Sequence, residues 1–239
     1  MRPFFHRDFL CIGHRGAPVI APENTLKAFA AAIAQGVDAI ELDVQLVEGA
    51  LVVIHDDDLD RTTSGHGPVA ASSLRILRGL DAGQGERIPL LEEVVTLVAG
   101  RVGINVELKG PGTAGPVADL LRRCRIPPAS CLLSAFDHRE LEAARAAAPE
   151  FPRAALFGRL TRDPVRVARA LDAMAINLYR KTARADVISA ARTAGLATLV
   201  YTVNDPTEAL LLKRLGSAGV FSDRPDLIIE AMALQQGTG

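Results

Sequence analysis

DAIELDVQLVEGALVVIH, at residues 38–55, contains two strand-like runs joined by a very short link. In the first run, Asp38 to Leu46, apolar and polar residues alternate, and this alternation predicts a β-strand. The link around Glu48 and Gly49 is far shorter than the roughly twelve residues that a parallel crossover needs. The second run, Leu51 to Ile54, is therefore predicted to pair antiparallel with the first as a β-hairpin.

The short turn also fixes which residues face each other across this hairpin. Counting back from a two-residue turn places Ile54 opposite Asp43. His55, the next residue, is then returned to the level of Glu41 and Asp43. We therefore expect one imidazole and two carboxylates to lie at one level of the sheet.

Short apolar runs recur along the whole chain, separated by longer alanine- and leucine-rich segments of helical period. This alternation is typical of βα units around a parallel sheet. The predicted strands are Leu10 to Gly13, Asp38 to Leu46, Val102 to Leu108, Cys131 to Ser134, Arg153 to Phe157, Met174 to Leu178, Ala197 to Val203 and Gly219 to Ser222. Eight strands in a chain of 239 residues predict a (β/α)8 TIM barrel with an extra β-hairpin arm after the second strand. We expect residues 1–239 to form a single domain.

Capping residues and glycines predict several boundaries. We expect Asn24 and Asp205 to cap helix N-termini and the last helix to follow Pro225. The segment from Asp56 to Pro89 is rich in glycine, with one short helix predicted at Ser72 to Leu77. We expect this segment to roof part of the barrel mouth.

The composition favours a globular chain with no strong overall charge. Hydrophobic residues make up 49% and charged residues 23%, so the chain can bury a sizeable core. A formal net charge of -1 gives no overall attraction to nucleic acid or anionic membranes, so we expect no nucleic acid and no stable membrane association. Oligomeric state does not follow from these numbers.

Two further features predict a cytoplasmic location. Residues Met1 to Phe9 lack the apolar stretch of a signal peptide. Cys11, Cys124 and Cys131 lie in or beside apolar runs without metal-binding spacing. We expect them to be free thiols, because disulfides are rare in a reducing cytosol.

Three carboxylates are predicted to converge inside the barrel. Glu41 and Asp43 share the polar face of the second strand, and Glu107 lies on the matching face of the third. Buried together they would repel one another, and a bound cation would relieve that repulsion. An oxygen-only ligand set predicts Mg²⁺, with Ca²⁺ as the alternative. The competing interpretation is a solvated face, or structural salt bridges to Arg15 and Lys109.

Two histidines are predicted at the same end of the barrel. His14 and Arg15 directly follow the first strand, at the carboxyl end where barrel enzymes hold their active sites. His55, returned by the hairpin, supplies a second imidazole, and two imidazoles suffice for a general base and a general acid. Arg15 and Lys109 can contact a phosphate, although either could merely neutralise the carboxylates. A loop histidine bonded to backbone is the competing interpretation of His14.

Polar residues also end the last two strands. Tyr201 and Asn204 end the seventh strand, and Asp223 follows the eighth, so all three lie at the catalytic end. Tyr201 fits an ordinary core or rim aromatic, and Asp223 fits either a helix cap or a functional group.

Five motifs carry a family resemblance. They are GHRGAPVIAPENTLKAF, IELDVQLVEGALVVIHDDDLDRTT, INVELKG, VYTVNDP and FSDRPDLI. In order and in position near strand ends, they resemble the glycerophosphodiester phosphodiesterases, in particular the compact cytosolic bacterial members. The resemblance runs from about Phe9 to about Leu234.

The resemblance implies roles for seven residues. It assigns acid/base catalysis to His14 and His55, metal binding to Glu41, Asp43 and Glu107, and phosphate contact to Arg15 and Lys109. The implied reaction is the metal-dependent hydrolysis of a small-molecule glycerophosphodiester to sn-glycerol 3-phosphate and an alcohol. A lysophospholipase D-like phosphodiesterase is the alternative, and a non-catalytic barrel that binds a phosphate ester is a further one.

The chain departs from the family at two points. Ser222 stands before Asp223 where relatives usually have threonine. The chain has no tryptophan. An aromatic beside the substrate would therefore be Phe136, Tyr179 or Tyr201.

Overall fold

The computed structural model describes residues 3–98, 100–159 and 163–236. Within them the strands are β1 Leu10–Gly13, β2 Ala39–Val47, β3 Ala50–Val53, β4 Gly103–Leu108, β5 Cys131–Ala135, β6 Arg153–Phe157, β7 Ala175–Tyr179, β8 Ala197–Tyr201 and β9 Gly219–Ser222. The helices are α1 Leu26–Gln35, α2 Leu74–Leu77, α3 Leu91–Val98, α4 Ala114–Arg123, α5 His138–Ala147, α6 Pro164–Ala170, α7 Ala185–Thr193, α8 Pro206–Leu215 and α9 Pro225–Gln236. Short 3₁₀ helices cover Val69–Ala71, Pro128–Ser130 and Arg180–Thr182.

Eight of these strands close a parallel ring. The hydrogen-bonded order runs β1, β9, β8, β7, β6, β5, β4, β2, and a β1–β2 pairing completes the circle. β3 lies outside the ring and pairs antiparallel with β2. The fold is therefore a TIM barrel with one added hairpin arm, as predicted. The predicted bounds of β1, β6 and β9 match the observed ones, and those of the other barrel strands differ by one or two residues. β8, for example, ends at Tyr201 instead of Val203.

The hairpin has the predicted register. Val47 pairs with Ala50, and the Ile54 amide donates to the Asp43 carbonyl over 3.1 Å. Glu48 and Gly49 have φ angles of 49° and 79°, the left-handed conformation that a tight two-residue hairpin turn requires.

One predicted helix cap was wrong. Thr25, not Asn24, caps α1, because the Thr25 hydroxyl accepts from the Ala28 amide. Asn24 has a φ of 57° and its side-chain amide donates to Asp43 over 2.9 Å. The asparagine therefore contacts the predicted metal site instead of the helix. The Asp205 cap of α8 is confirmed.

The short helix α2 begins two residues later than predicted, because Ser73 caps it through the Ile76 amide. Apolar side chains of the segment between β3 and α3 pack on the hairpin. The buried residues of this small core are Val47, Val52, Ile54, Leu59, Val69, Leu77, Ala82 and Ile88. Much of the segment therefore covers the outside of the hairpin. The start of the segment lies beside the barrel mouth, where one cavity is lined by His55, Asp56, Asp57, Asp58, Asp60, Arg61 and Lys109.

Apolar side chains close the lower half of the barrel. Phe4, from the segment before β1, packs among inward residues of the strands and is 1% exposed. The buried members of this plug are Phe4, Leu10, Ile12, Ala39, Leu132, Ala154, Ala175, Leu199 and Phe221. Among the residues that the structure describes, this plug fills the barrel interior opposite the carboxyl ends of the strands. Among the helices in the described ranges, none is long and apolar enough to cross a bilayer.

Candidate active site

The structure brings the three predicted carboxylates together. Glu41, Asp43 and Glu107 are buried, and one ligand atom from each lies within 4.8 Å of the other two. The register explains this proximity, because Asp43 on β2 pairs with Glu107 on β4. Glu41 lies two residues earlier on the same face of β2.

Electrostatic repulsion in this cluster is strong. Burial, together with the Asp43 charge, raises the pKa of Glu107 to about 8. Burial, followed by the charges of Asp43 and Glu107, raises the pKa of Glu41 well above its usual range. The protein alone therefore does not fully compensate the negative charge of these groups.

The cluster fits a hard divalent cation. All donors are carboxylate oxygens, the ligands that Mg²⁺ and Ca²⁺ prefer. Asp43 Oδ1 and Glu107 Oε1 are buried, and no residue in the described part of the chain forms a hydrogen bond with them. Two ligand atoms are thus left available for a metal ion.

Arg15 and Lys109 supply nearby positive charge. Arg15 Nε lies 3.4 Å from Asp43 Oδ2, and Lys109 Nζ lies 3.6 Å from Glu107 Oε1. The Arg15 backbone amide also donates to Glu41 over 2.9 Å. The ion pairs of the competing salt-bridge interpretation are therefore present, but Asp43 Oδ1 and Glu107 Oε1 are left without a hydrogen bond from any described residue.

Each predicted histidine is held by a carboxylate. Nδ1 of His14 lies 2.7 Å from Asp223 Oδ1, and Nδ1 of His55 lies 2.5 Å from Asp56 Oδ1. With Nδ1 donating to a carboxylate, Nε2 of each ring is left as the acceptor. Both histidines line the same cavity, and the bond of the His14 ring is to the Asp223 side chain instead of to backbone.

The two carboxylates that hold the histidines remain ionised. Arg61 donates to Asp56 and, with the His55 bond, holds the pKa of Asp56 well below its usual range. Burial disfavours the Asp223 anion, but hydrogen bonds from His14 and Asn204 outweigh it and lower the pKa of Asp223. Asp223 therefore has a role beyond helix capping.

A bridge of charged side chains links the two histidine loops. Glu23 accepts from Arg15 and from Arg61, with distances of 2.8 Å. Arg61 also donates to Asp56, at 2.5 Å from Nε. Sequence reasoning did not single out Glu23, Asp56 or Arg61, although the PENT and HDDDLDRTT motifs contain them. Their roles depend on contacts between distant loops that no spacing rule gives.

A cavity of about 240 Å³ lies above the plug. Its lining includes His14, Arg15, Glu41, His55, Asn105, Glu107, Ser134, Phe136, Leu156, Asn177, Tyr179, Tyr201, Thr202 and Phe221. The three aromatic candidates all border it, and the Tyr201 ring lies 6.0 Å from that of Phe136. Lys109 lines a neighbouring cavity, which it shares with His55. Asn105 and Asn177 were not among the site residues predicted from the sequence.

Comparison with known proteins agrees with this arrangement. The profile of the "Glycerophosphoryl diester phosphodiesterase family" matches residues 14–227. YhdW of Bacillus subtilis is 37% identical over 235 residues, covering 92% of this chain and 96% of that protein. A glycerophosphodiester phosphodiesterase of Bacillus altitudinis is 33% identical over 234 residues, covering 91% and 95%.

A solved structure is similar to this chain in both fold and sequence. A phosphodiesterase of Oleispira antarctica, in complex with the product sn-glycerol-3-phosphate, superposes with a TM-score of 0.88 at 32% identity, covering 94% of this chain and 96% of that one. The extent and identity of these matches assign a family to the chain. It belongs to the glycerophosphoryl diester phosphodiesterase family of enzymes.

Proposed function

We propose that this enzyme hydrolyses small glycerophosphodiesters to sn-glycerol 3-phosphate and an alcohol, with a divalent cation as cofactor. The observation that carries the proposal is the meeting of three buried carboxylates and two carboxylate-held imidazoles around one cavity. The Oleispira antarctica phosphodiesterase, whose structure contains sn-glycerol-3-phosphate, supports the identity of the product.

In this proposal Glu41, Asp43 and Glu107 hold the cation. Mg²⁺ is the expected ion and Ca²⁺ the alternative, because only oxygen ligands are offered. The bound ion would supply charge neutralisation at the phosphate. The ionised cluster is also unfavourable in free energy in the metal-free protein, since burial and mutual repulsion raise the pKa values of Glu41 and Glu107.

His14 and His55 exchange the protons. Asp223 and Asp56 fix the two rings through Nδ1, so each Nε2 is the atom that accepts or donates at the reacting centre. One imidazole accepts the proton of the oxygen nucleophile that forms the new bond to phosphorus, and the other protonates the oxygen of the departing alcohol as its bond to phosphorus breaks. The overall hydrolysis consumes one water. In this scheme the histidine that acts as the base is neutral when turnover starts, and the histidine that acts as the acid is protonated.

Arg15 and Lys109 contact the phosphate oxygens. Arg15 lines the cavity, and its guanidinium is oriented by Glu23 on one side and Asp43 on the other. Lys109 reaches the cluster from the neighbouring cavity. Both cations offset the charge of a phosphodiester that enters a site rich in carboxylates.

Residues 1–239 act as a single domain in this proposal, and the partner is a small molecule. The cytoplasmic location and the absence of nucleic-acid or stable membrane partners stay predictions from the sequence. The structure does describe Cys11, Cys124 and Cys131 as free cysteines.

Phosphorus NMR of the purified enzyme with glycerophosphocholine and Mg²⁺ tests the activity. We expect sn-glycerol 3-phosphate to accumulate as the glycerophosphocholine signal declines. A parallel reaction with lysophosphatidylcholine tests the alternative substrate. Turnover of the lysophospholipid alone would replace the proposed substrate class, and turnover of neither would favour a phosphate-ester-binding protein.

A further inference from the structure

Asn177 is a buried amide whose hydrogen bonds are missing. It lies on the inward face of β7 and is 0% exposed. Among the residues that the structure describes, none forms a hydrogen bond with its Oδ1 or its Nδ2. An amide buried in this way has a substantial free-energy cost, so the protein is more stable when a ligand supplies the partners.

Two more polar atoms around the same cavity share this property. Tyr201 Oη and Asn105 Oδ1 are buried, and no described residue forms a hydrogen bond with either. Asn105 Nδ2 is engaged, since it donates to Ser134 Oγ over 2.9 Å. All four residues line the cavity that contains the two histidines. Four buried polar atoms without a described partner, from Asn105, Asn177 and Tyr201, therefore belong to the lining of this one cavity.

Asparagines elsewhere near the site are fully engaged. Asn24 donates to Asp43 and its Oδ1 accepts from the Asp43 amide. Asn204 donates to Asp223 and its Oδ1 accepts from Ser222 and from the Asp223 amide. Asn177 differs from these structural asparagines in facing a cavity with both amide atoms free, and this difference points to a ligand.

The chemistry of these groups selects an uncharged, hydroxylated ligand moiety. An asparagine amide and a tyrosine hydroxyl offer both donors and acceptors without net charge, which matches an alcohol hydroxyl. A quaternary ammonium group has no hydrogen to donate and would leave the amide unpaired. Leu156 and Phe221 border the same cavity and suit a short carbon chain.

We propose that Asn177 and Tyr201, with an additional acceptor from Asn105, recognise the hydroxyl groups of the glycerol moiety. This inference rests on the proposed function and makes these residues determinants of its specificity. The glycerol then lies deep in the barrel, between the amides of β4 and β7, and the alcohol group lies toward the mouth. Tyr201, one of the three aromatic candidates named from the sequence, would then contact the glycerol with its ring and with its hydroxyl group.

Calorimetric binding of two phosphate monoesters in excess Mg²⁺ tests this subsite. The probes are sn-glycerol 3-phosphate and n-propyl phosphate, which has the same carbon chain without the two hydroxyl groups. The variants are Asn177→Leu and Tyr201→Phe. Thr198→Val is the matched control, because Thr198 Oγ1 is also buried without a described partner but does not line the cavity.

We expect each of the two variants to weaken sn-glycerol 3-phosphate binding about three- to tenfold or more, the size of a lost neutral hydrogen bond. Binding of n-propyl phosphate should change less than about twofold, and Thr198→Val should leave both affinities unchanged. Equal losses for both esters, or no loss for either, would overturn the inference. If Asn177→Leu does not fold, Tyr201→Phe, which removes one oxygen atom, carries the test.

The phosphorus NMR assay separates failure of the subsite from failure of the proposed function. Turnover of glycerophosphocholine by the wild-type protein, together with equal losses of affinity for both esters in the variants or no loss for either, would overturn the subsite and keep the activity. Selective binding without turnover by the wild-type protein would support a hydroxyl-recognising subsite and overturn the proposed hydrolysis.

Discussion

His14 and His55 are held alike, each through Nδ1 by a carboxylate, although they come from loops after different strands. Two similar rings around one cavity indicate a shared proton-transfer scheme. Groups that act as one unit lose activity non-additively when removed. The histidines therefore make a residue-level test of the mechanism.

Substitution of either histidine by alanine should lower kcat by about 10² or more, because one proton transfer loses its acid or base. The double variant should be little slower than the slower single variant. Steady-state kinetics of the three variants checks this. Losses that add on the logarithmic scale would show that the imidazoles act independently, and an unchanged kcat for His55→Ala would make that residue structural.

Glu107 makes a second residue-level prediction, for the metal-free protein. Its pKa is about 8 in the folded chain, above the usual value of a glutamate, because burial and Asp43 disfavour the anion. The folded state therefore favours the protonated carboxyl. The contribution of Glu107 to the stability of the metal-free protein is greatest at low pH and is lost as the pH rises from about 4.5 to about 8.

Glu107→Gln removes this titration, so in EDTA the variant should gain stability over wild type across that pH range, by about 1–3 kcal/mol at its upper end. Urea unfolding at several pH values measures the difference. In excess Mg²⁺ the order should reverse, because wild type retains the full ligand set. A constant difference across the pH range would mean that the carboxylate is compensated by Lys109 alone.

At the scale of elements, the hairpin β2–β3 and the loop after β1 jointly form the histidine site. Arg61, which follows the hairpin, contacts Asp56 and Glu23, and Glu23 contacts Arg15 in the loop after β1. The arginine thus fixes two loops relative to each other. We expect it to affect catalysis through the residues that it positions.

Arg61→Met should lower kcat about tenfold, because Asp56 and Glu23 both lose a charge-assisted partner that fixes their orientation. Arg122→Met is the matched control, since Arg122 also pairs with two acidic groups but lies on α4. Both variants should remain nearly as stable as the wild-type protein, as exposed ion pairs contribute little. Equal kcat values for the two variants would assign Arg61 a purely structural role.

Much of this arrangement could be predicted from strand periodicity and turn length. The alternation around Asp43 and the two-residue link at Glu48 and Gly49 determine the hairpin and the approach of His55, because a pleated strand has a strict period of two. The α1 cap was wrong because Asn24 and Thr25 are both good capping residues, and a long-range contact with Asp43 decides between them.

Other parts of the site follow only from three-dimensional proximity. The sequence left the role of Asp223 open between capping and function, and the His14 contact answers it. Asn177 looks like an ordinary polar residue within a strand, and only the cavity with its missing hydrogen bonds distinguishes it. Tyr201 was interpreted as an ordinary aromatic for the same reason.

At the scale of the whole molecule, the barrel has a closed apolar lower half and a charged upper cavity. The plug around Phe4 excludes water below, while carboxylates, imidazoles and amides line the volume above. The apolar plug lowers the dielectric constant beneath the cavity, which strengthens the electrostatic interactions there. Both the repulsion within the acidic cluster and the stabilisation by a bound cation are therefore larger.

We propose above that Glu41, Asp43 and Glu107 form the metal site of this phosphodiesterase. A crystal structure with Mn²⁺ as the probe and sn-glycerol 3-phosphate, with anomalous data, tests it most directly. We predict one strong anomalous peak about 2.0–2.3 Å from oxygen atoms of all three carboxylates, with the phosphate beside it. A peak at the exposed aspartates that follow His55, or no peak within reach of Glu41, Asp43 and Glu107, would contradict the account.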